Sequence, residues 1–160
     1  MTTTSGSAVV TLPSDTQIQI TRAFAAPRQL VWRAYTEPEL IERWWSGERG
    51  RVTSIDVDLR VGGKWRYVMQ ANEGFEVAFH GEYREVVPHE RLVNTEVFEG
   101  MPDGEALDTV TFTEADGCTT LVILVQHSCR EHRDAHIESG MELGLQEALD
   151  ALERVAQTLG

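Results

Sequence analysis

The sequence is poor in the features that mark several protein classes. Only two cysteines, Cys118 and Cys129, occur in 160 residues, which excludes a disulfide framework and leaves reduced thiols as the expectation. Basic residues are few: 14 Lys and Arg stand against 26 Asp and Glu, a net charge of −12. A polyphosphate backbone would be repelled by most of such a surface, so nucleic acid is not an expected partner. Long apolar runs are missing as well. The longest strongly apolar stretch, Leu121–Val125, falls far below the roughly 20 residues of a spanning helix, and no membrane insertion is expected. Met1–Ala8 carries neither a basic residue nor an apolar core, so it does not read as a secretory signal. A cytoplasmic location follows as the expectation.

What is present describes one globular domain. Hydrophobic residues make up 41% and charged residues 25%, outside the compositional corner in which chains stay disordered. Residues 1–15 are rich in Thr and Ser and read as a flexible N-terminal tail, with one short extended piece at Val9–Leu12. Residues 16–160 read as a single domain with no linker and no repeat. Gln17–Phe24 alternates as a strand does. Pro27 suits a first helical position, with Leu30, Val31, Ala34 and Tyr35 at helical spacing behind it. Glu37-Pro38-Glu39 restarts a second short helix that runs into Trp44-Trp45.

From Arg51 to Gln126 the period is two. Turn chemistry at Gly62-Gly63, Asn72-Glu73-Gly74, Pro88-His89, Pro102-Asp103-Gly104 and Ala115-Asp116-Gly117 divides the stretch into six more strands. Ser128-x-x-Glu131 has the form of a capping box. Ile137, Met141, Leu145, Ala148, Leu152, Val155 and Leu159 then recur every three or four residues, predicting one amphipathic helix of roughly 28 residues, about 42 Å long. Beside that seam Gly140, Gly144 and Ala148 form a stripe of small residues, which permits close backbone approach or leaves space beneath the helix.

Several sequence words carry a resemblance. Arg22-Ala23-Phe24-Ala25-Ala26-Pro27 precedes Val31-Trp32 and Ala34; Thr36-Glu37-Pro38-Glu39 and Trp44-Trp45 follow. Further along stand Asp58-Leu59-Arg60-Val61-Gly62-Gly63-Lys64-Trp65, then Gly81-Glu82-Tyr83-Arg84-Glu85-Val86-Val87-Pro88 and Glu90-Arg91-Leu92-Val93. In this order the chain resembles the SRPBCC (START-like) superfamily, in the branch named after the activator of the heat-shock protein 90 ATPase. The resemblance implies an α+β helix-grip fold: a seven-stranded curved antiparallel sheet wrapped around a long C-terminal helix, with two short helices between strands 1 and 2. It also implies a deep cavity between sheet and helix. Relatives include lipid carriers, polyketide cyclases and chaperone cofactors, so the fold alone does not decide the function.

Alternation assigns the cavity wall. The expected inward set is Trp65, Tyr67 and Met69, then Phe79 and Tyr83, then Thr95 and Val97. Val110, Phe112, Ile123, Val125 and His127 continue it, with Met141 from the helix. Trp45 joins them at the cavity mouth, because two adjacent tryptophans cannot both face one core. Mostly apolar with a few polar tips, this is the composition of a small-molecule pocket, although the same residues could simply pack as core. It contains no Lys or Arg, so a neutral or weakly polar ligand is expected.

Other chemistry has less to stand on. His132 and His136 share a helix face, but Arg130, Glu131, Arg133 and Asp134 surround them as on a solvated turn, and neither a metal nor another cofactor is expected. Gly62-Gly63 lacks the pattern and following helix of a phosphate loop. Ser128 beside His127 points the opposite way on an extended chain and serves better as a helix cap than as a nucleophile. The reading is therefore binding of a hydrophobic or aromatic small molecule, with no assigned catalysis. Two alternatives stand beside it. One is a polyketide cyclase or dehydratase type of enzyme using His127 with Tyr67 or Tyr83. The other is a chaperone-interacting domain. Exposed apolar residues on the helix or sheet edge could also support a homodimer.

Overall fold

A computed structural model describes residues 8–160. The part of the expected tail formed by residues 1–7 lies outside these. Within the remainder of that tail Val9–Thr11 (β1) forms a three-residue strand on the edge of the sheet, pairing Val10 with Ile20. The sheet thus has eight strands rather than the seven expected from the sequence. Three residues are too few to show a period of two, so the pairing is invisible until the partner strand is placed.

Gln17–Phe24 (β2) buries every second side chain, Ile18, Ile20, Arg22 and Phe24. The chain then crosses the sheet through two short helices. Arg28–Thr36 (α1) starts one residue after Pro27, which acts as its N-cap, and Pro38–Ile41 (α2) has Pro at its first position, where the missing N–H costs nothing. Six strands follow as a meander: Gly50–Val57 (β3), Lys64–Ala71 (β4), Glu76–Val87 (β5), Arg91–Phe98 (β6), Ala106–Ala115 (β7) and Cys118–Gln126 (β8). The last hairpin turns at Asp116-Gly117, both with positive φ (54° and 78°), the backbone of a tight hairpin turn matched to the strand twist. All neighbours are antiparallel in the order β1-β2-β8-β7-β6-β5-β4-β3. Register shifts at Val52/Ser54 and at Tyr83/Glu85 add the local bends by which a sheet curves.

The expected single helix is two. Arg130–Glu138 (α3) and Met141–Thr158 (α4) are separated at Gly140, whose φ of 83° lies in the left-handed region. Gly is the residue that adopts that conformation without a Cβ penalty, and it terminates helices there. Apolar spacing survives such a break, so periodicity alone could not reveal it. Ser128 is not the cap either: Cys129 takes that position with no side-chain bond, and Ser128 Oγ lies 3.1 Å from His132 Nδ1.

The core fills the space between the inner sheet face and the helices. Phe24, Val110, Phe112, Leu121 and Val31 meet Leu149, Leu152 and Ala156 of α4 there, all nearly or fully buried. α1 packs on α4. A second tie is ionic: the buried Arg22 reaches Asp150 Oδ1 at 2.8 Å and Glu153 Oε1 at 3.2 Å, and Glu153 Oε2 accepts from the Ala25 amide at 2.8 Å. No helix among the described residues is long and apolar enough to cross a membrane.

Candidate functional site: a cavity between sheet and helix

The sheet curves away from the first two turns of α4 and leaves a cavity of about 290 Å³. Its aromatic wall is built from adjoining strands and one turn. Trp65 and Tyr67 of β4 lie 4.8 Å apart between ring centroids, and Trp45 packs edge-on to Tyr67 at 5.4 Å and to Phe79 of β5 at 5.8 Å. Each such pair contributes about 0.5–1.5 kcal/mol beyond its buried area, so the wall is stiff before any ligand arrives. The tandem tryptophans divide their work. Trp44 is buried, stacks on Tyr35 at 5.7 Å and donates from Nε1 to the Ala34 carbonyl at 2.8 Å, while the less buried Trp45 packs on the wall strands. Met141, Gly144, Leu145 and Ala148 of α4 form the roof. The small-residue stripe therefore has separate jobs: Gly140 breaks the helix, Ala148 borders the void, and a side chain at Gly144 would collide with the Arg49 guanidinium.

Nine of the expected inward residues border the cavity: Trp45, Trp65, Tyr67, Met69, Phe79, Tyr83, Ile123, Val125 and Met141. Five do not. Val110 and Phe112 are on the inner face but packed in the core, Phe112 against Trp32 and Tyr35 at 5.2 and 5.6 Å. Thr95 and Val97 turn to the opposite face, where they are buried among Lys64, Arg66, His80 and Arg84. The apolar stems of long charged side chains can cover such residues. If Thr95 and Val97 face out, their neighbours Leu92, Asn94 and Glu96 face in, and all three border the cavity.

His127 is the fifth. It lies behind His136, with Nε2 3.0 Å from His136 Nδ1, and only His136 reaches the cavity. Desolvation lowers the pKa of both rings, that of His136 to about 4, and each is further depressed by neighbouring basic groups. Both are neutral at pH 7, one N–H donating to the other's lone pair. Among the described residues no group of three or more His, Cys, Asp and Glu is arranged to hold a metal ion.

The polar end of the cavity was not expected. Asp108 of β7 faces Asn94 of β6 across the ladder, and Glu96 borders the same space. Glu96 and Asp108 are within hydrogen-bonding reach of one another, and Asp108 Oδ1 is buried without a donor from any described residue. Desolvation raises the pKa of both carboxyls; Asp108 is held well above the ordinary range, with the Glu96 charge as the next cause. Two carboxyls in an apolar cavity do not both ionise readily, so the pair keeps a proton. The same cavity holds Tyr35, Tyr67 and Tyr83, whose phenols are all raised chiefly by burial and so stay protonated. The expectation of a cavity without Lys or Arg is also corrected, since Arg49 borders it beside Gly144.

One signal in the sequence could have found Asp108. Once Val110 and Phe112 are assigned inward, strand parity carries it inward with them. Its polarity argued the other way, and polarity is the weaker guide in a strand that lines a cavity.

The sequence pattern of one protein family, described as activator of Hsp90 ATPase homolog 1-like protein, matches residues 25–157. Solved structures agree over nearly the whole chain. A crystal structure of a protein from Rhodobacter sphaeroides is 27% identical with a TM-score of 0.87, covering 94% of this chain and 99% of that one. One from Nitrosomonas europaea is 27% identical at 0.82, over 92% and 97%, and one from Mycobacterium smegmatis is 26% identical at 0.83, over 92% and 96%. No curated protein matches the sequence.

Proposed function

Because the chain belongs to the activator of Hsp90 ATPase homolog 1-like family and has its helix-grip fold, we propose that it binds a hydrophobic or aromatic small molecule between the sheet and α4. The observation that carries this reading is the wall formed by Trp45, Trp65, Tyr67 and Phe79 around a cavity of about 290 Å³. Ligand pockets start at roughly this size and share this mixture of aromatic walls with few polar groups. The volume suits a compact molecule of two or three aromatic rings rather than a long lipid chain. Catalysis through His127 is not part of the proposal, because His136 stands between that ring and the cavity.

The test starts with native mass spectrometry of gently purified protein, followed by denaturing extraction and identification of released compounds. The expected result is an apolar compound at near-stoichiometric level. In parallel, the neutral fluorophore N-phenyl-1-naphthylamine should bind the wild type and not Leu145→Trp, which fills the cavity from the roof, provided circular dichroism shows the variant folded. Equal binding by both would overturn the assignment to this cavity. An empty protein that ignores the fluorophore and carries a chaperone stoichiometrically would favour a protein-binding role instead.

A further inference from the structure

Hydrophobic walls explain why a ligand would enter, but not what it would do at the polar end. Asp108 is only 9% exposed, and its Oδ1 receives no hydrogen bond from any described residue. A buried acceptor of that kind is satisfied by a proton shared with its partner carboxyl or by a donor on a bound molecule. Glu96 is that partner, so the cavity presents a two-carboxyl receptor rather than a single acceptor.

Sharing the cavity with this pair are Tyr35 from α1, Tyr67 from β4, Tyr83 from β5, Asn94 from β6 and His136 from α3. None is cationic at neutral pH. Arg49, the basic residue of the lining, lies against Gly144 on α4, and no ion pair joins it to Glu96 or Asp108. The negative charge that the pair could develop is therefore uncompensated within the protein. Aromatic faces attract cations, and a net charge of −12 draws them towards the molecule.

Resting on the ligand-binding reading above, we propose that the cavity takes hydrophobic ligands bearing a basic amine. Their ammonium sits against the Glu96–Asp108 pair and their hydrocarbon between Trp45, Trp65, Tyr67 and Phe79. The ammonium offers three donors to a pair whose Asp108 Oδ1 receives none from the described residues. Its arrival removes the reason for the carboxyls to keep their proton, so one proton leaves to solvent as the amine binds. A neutral alcohol of the same shape can donate only one O–H to Asp108 Oδ1 and gains none of the charge interaction.

Isothermal titration of the full-length protein with three compounds of one shape, 1-naphthylmethylamine, 1-naphthylmethanol and 1-naphthoate, tests this. The amine should bind about tenfold tighter than the alcohol, in line with the value of a charge-assisted hydrogen bond over a neutral one, and the carboxylate should bind weakest. Between pH 6 and 8, where the amine stays an ammonium, release of a proton on binding makes its Kd fall with rising pH while that of the alcohol stays constant. Glu96→Gln and, independently, Asp108→Asn should remove the preference while alcohol binding persists. Alcohol and amine binding equally would overturn the amine proposal and leave the cavity reading standing. Tightest binding by the carboxylate would overturn it in favour of Arg49 as the polar partner. Failure of all three to bind would overturn both readings.

Discussion

Arg22 fastens the roof of the cavity to its wall, and its loss should be costly in a calculable way. The side chain is 2% exposed and its two partners differ: Glu153 is 12% exposed and Asp150 is 53%. Replacing Arg22 by Met keeps most of the buried stem and removes only the guanidinium. Asp150 then turns to water, a loss of at most about 1 kcal/mol for so exposed a pair. Glu153 has no such exit. It keeps the Ala25 amide bond but loses its buried counter-charge, a situation that costs about 3–5 kcal/mol when the site is dry. Methionine packing against Phe24, over whose ring the Arg22 guanidinium lies at 5.0 Å, returns a part. The net expectation is about 3 kcal/mol, or a fall in Tm of about 6–12 °C for a domain of this size. Urea unfolding of wild type, Arg22→Met, Glu153→Gln and the double variant measures it as a cycle. The double variant should be more stable than the sum of the single losses predicts, because removing both partners leaves no uncompensated charge. A loss under about 1 kcal/mol for Arg22→Met, or strictly additive losses, would refute the claim that this pair pins α4.

Two further outcomes are expected. His136 has a folded pKa near 4 against about 6.5 unfolded, so its contribution is complete above pH 6.5 and is lost as the pH falls towards 4, by up to about 3 kcal/mol. The Glu96–Asp108 pair is raised and runs the other way, losing its contribution as the pH climbs through its folded values. Urea unfolding at pH 7.5, 5.5 and 4.5 should therefore show His136→Gln losing less stability on acidification than the wild type; parallel profiles would contradict the buried, neutral ring. Gly140→Ala should destabilise by about 1 kcal/mol because of the left-handed backbone at that residue, with faster amide exchange at the end of α3. A stabilising effect would mean that the helix runs unbroken in solution.

Most of the frame was legible in the sequence, and the reason is periodicity. β2 and β8 bury alternate residues along their whole length, so their faces could be assigned without a partner. The meander could be counted from its turn residues, and the family words fell at element boundaries. What escaped shares a physical cause: a local pattern ranks residues by polarity, while the fold ranks them by geometry. Asn94 and Glu96 look like the wet face of β6 and line the cavity; Thr95 and Val97 look like core and lie under charged stems. The break at Gly140 escaped because apolar spacing at Ile137, Met141 and Leu145 stays in phase across one left-handed residue. Tyr35 escaped as a cavity residue because α1 was read for its core stripe, and the direction of its remaining faces depends on how it crosses the sheet.

The joint at Gly140 gives the cavity two independent jambs. α4 is held by the Arg22 clamp and by the core around Leu152. α3 is held elsewhere, through Arg133 donating from Nη1 to the Ser14 carbonyl at 2.8 Å. A continuous helix would transmit any rotation at one end as a rotation of every side chain along it. With the joint in place, His136 and Ser139 at one edge can be exchanged without turning Leu145 or Ala148 at the other. One side of the binding space is thereby open to sequence change, while the side that shares its helix with the core is kept in register by the fold.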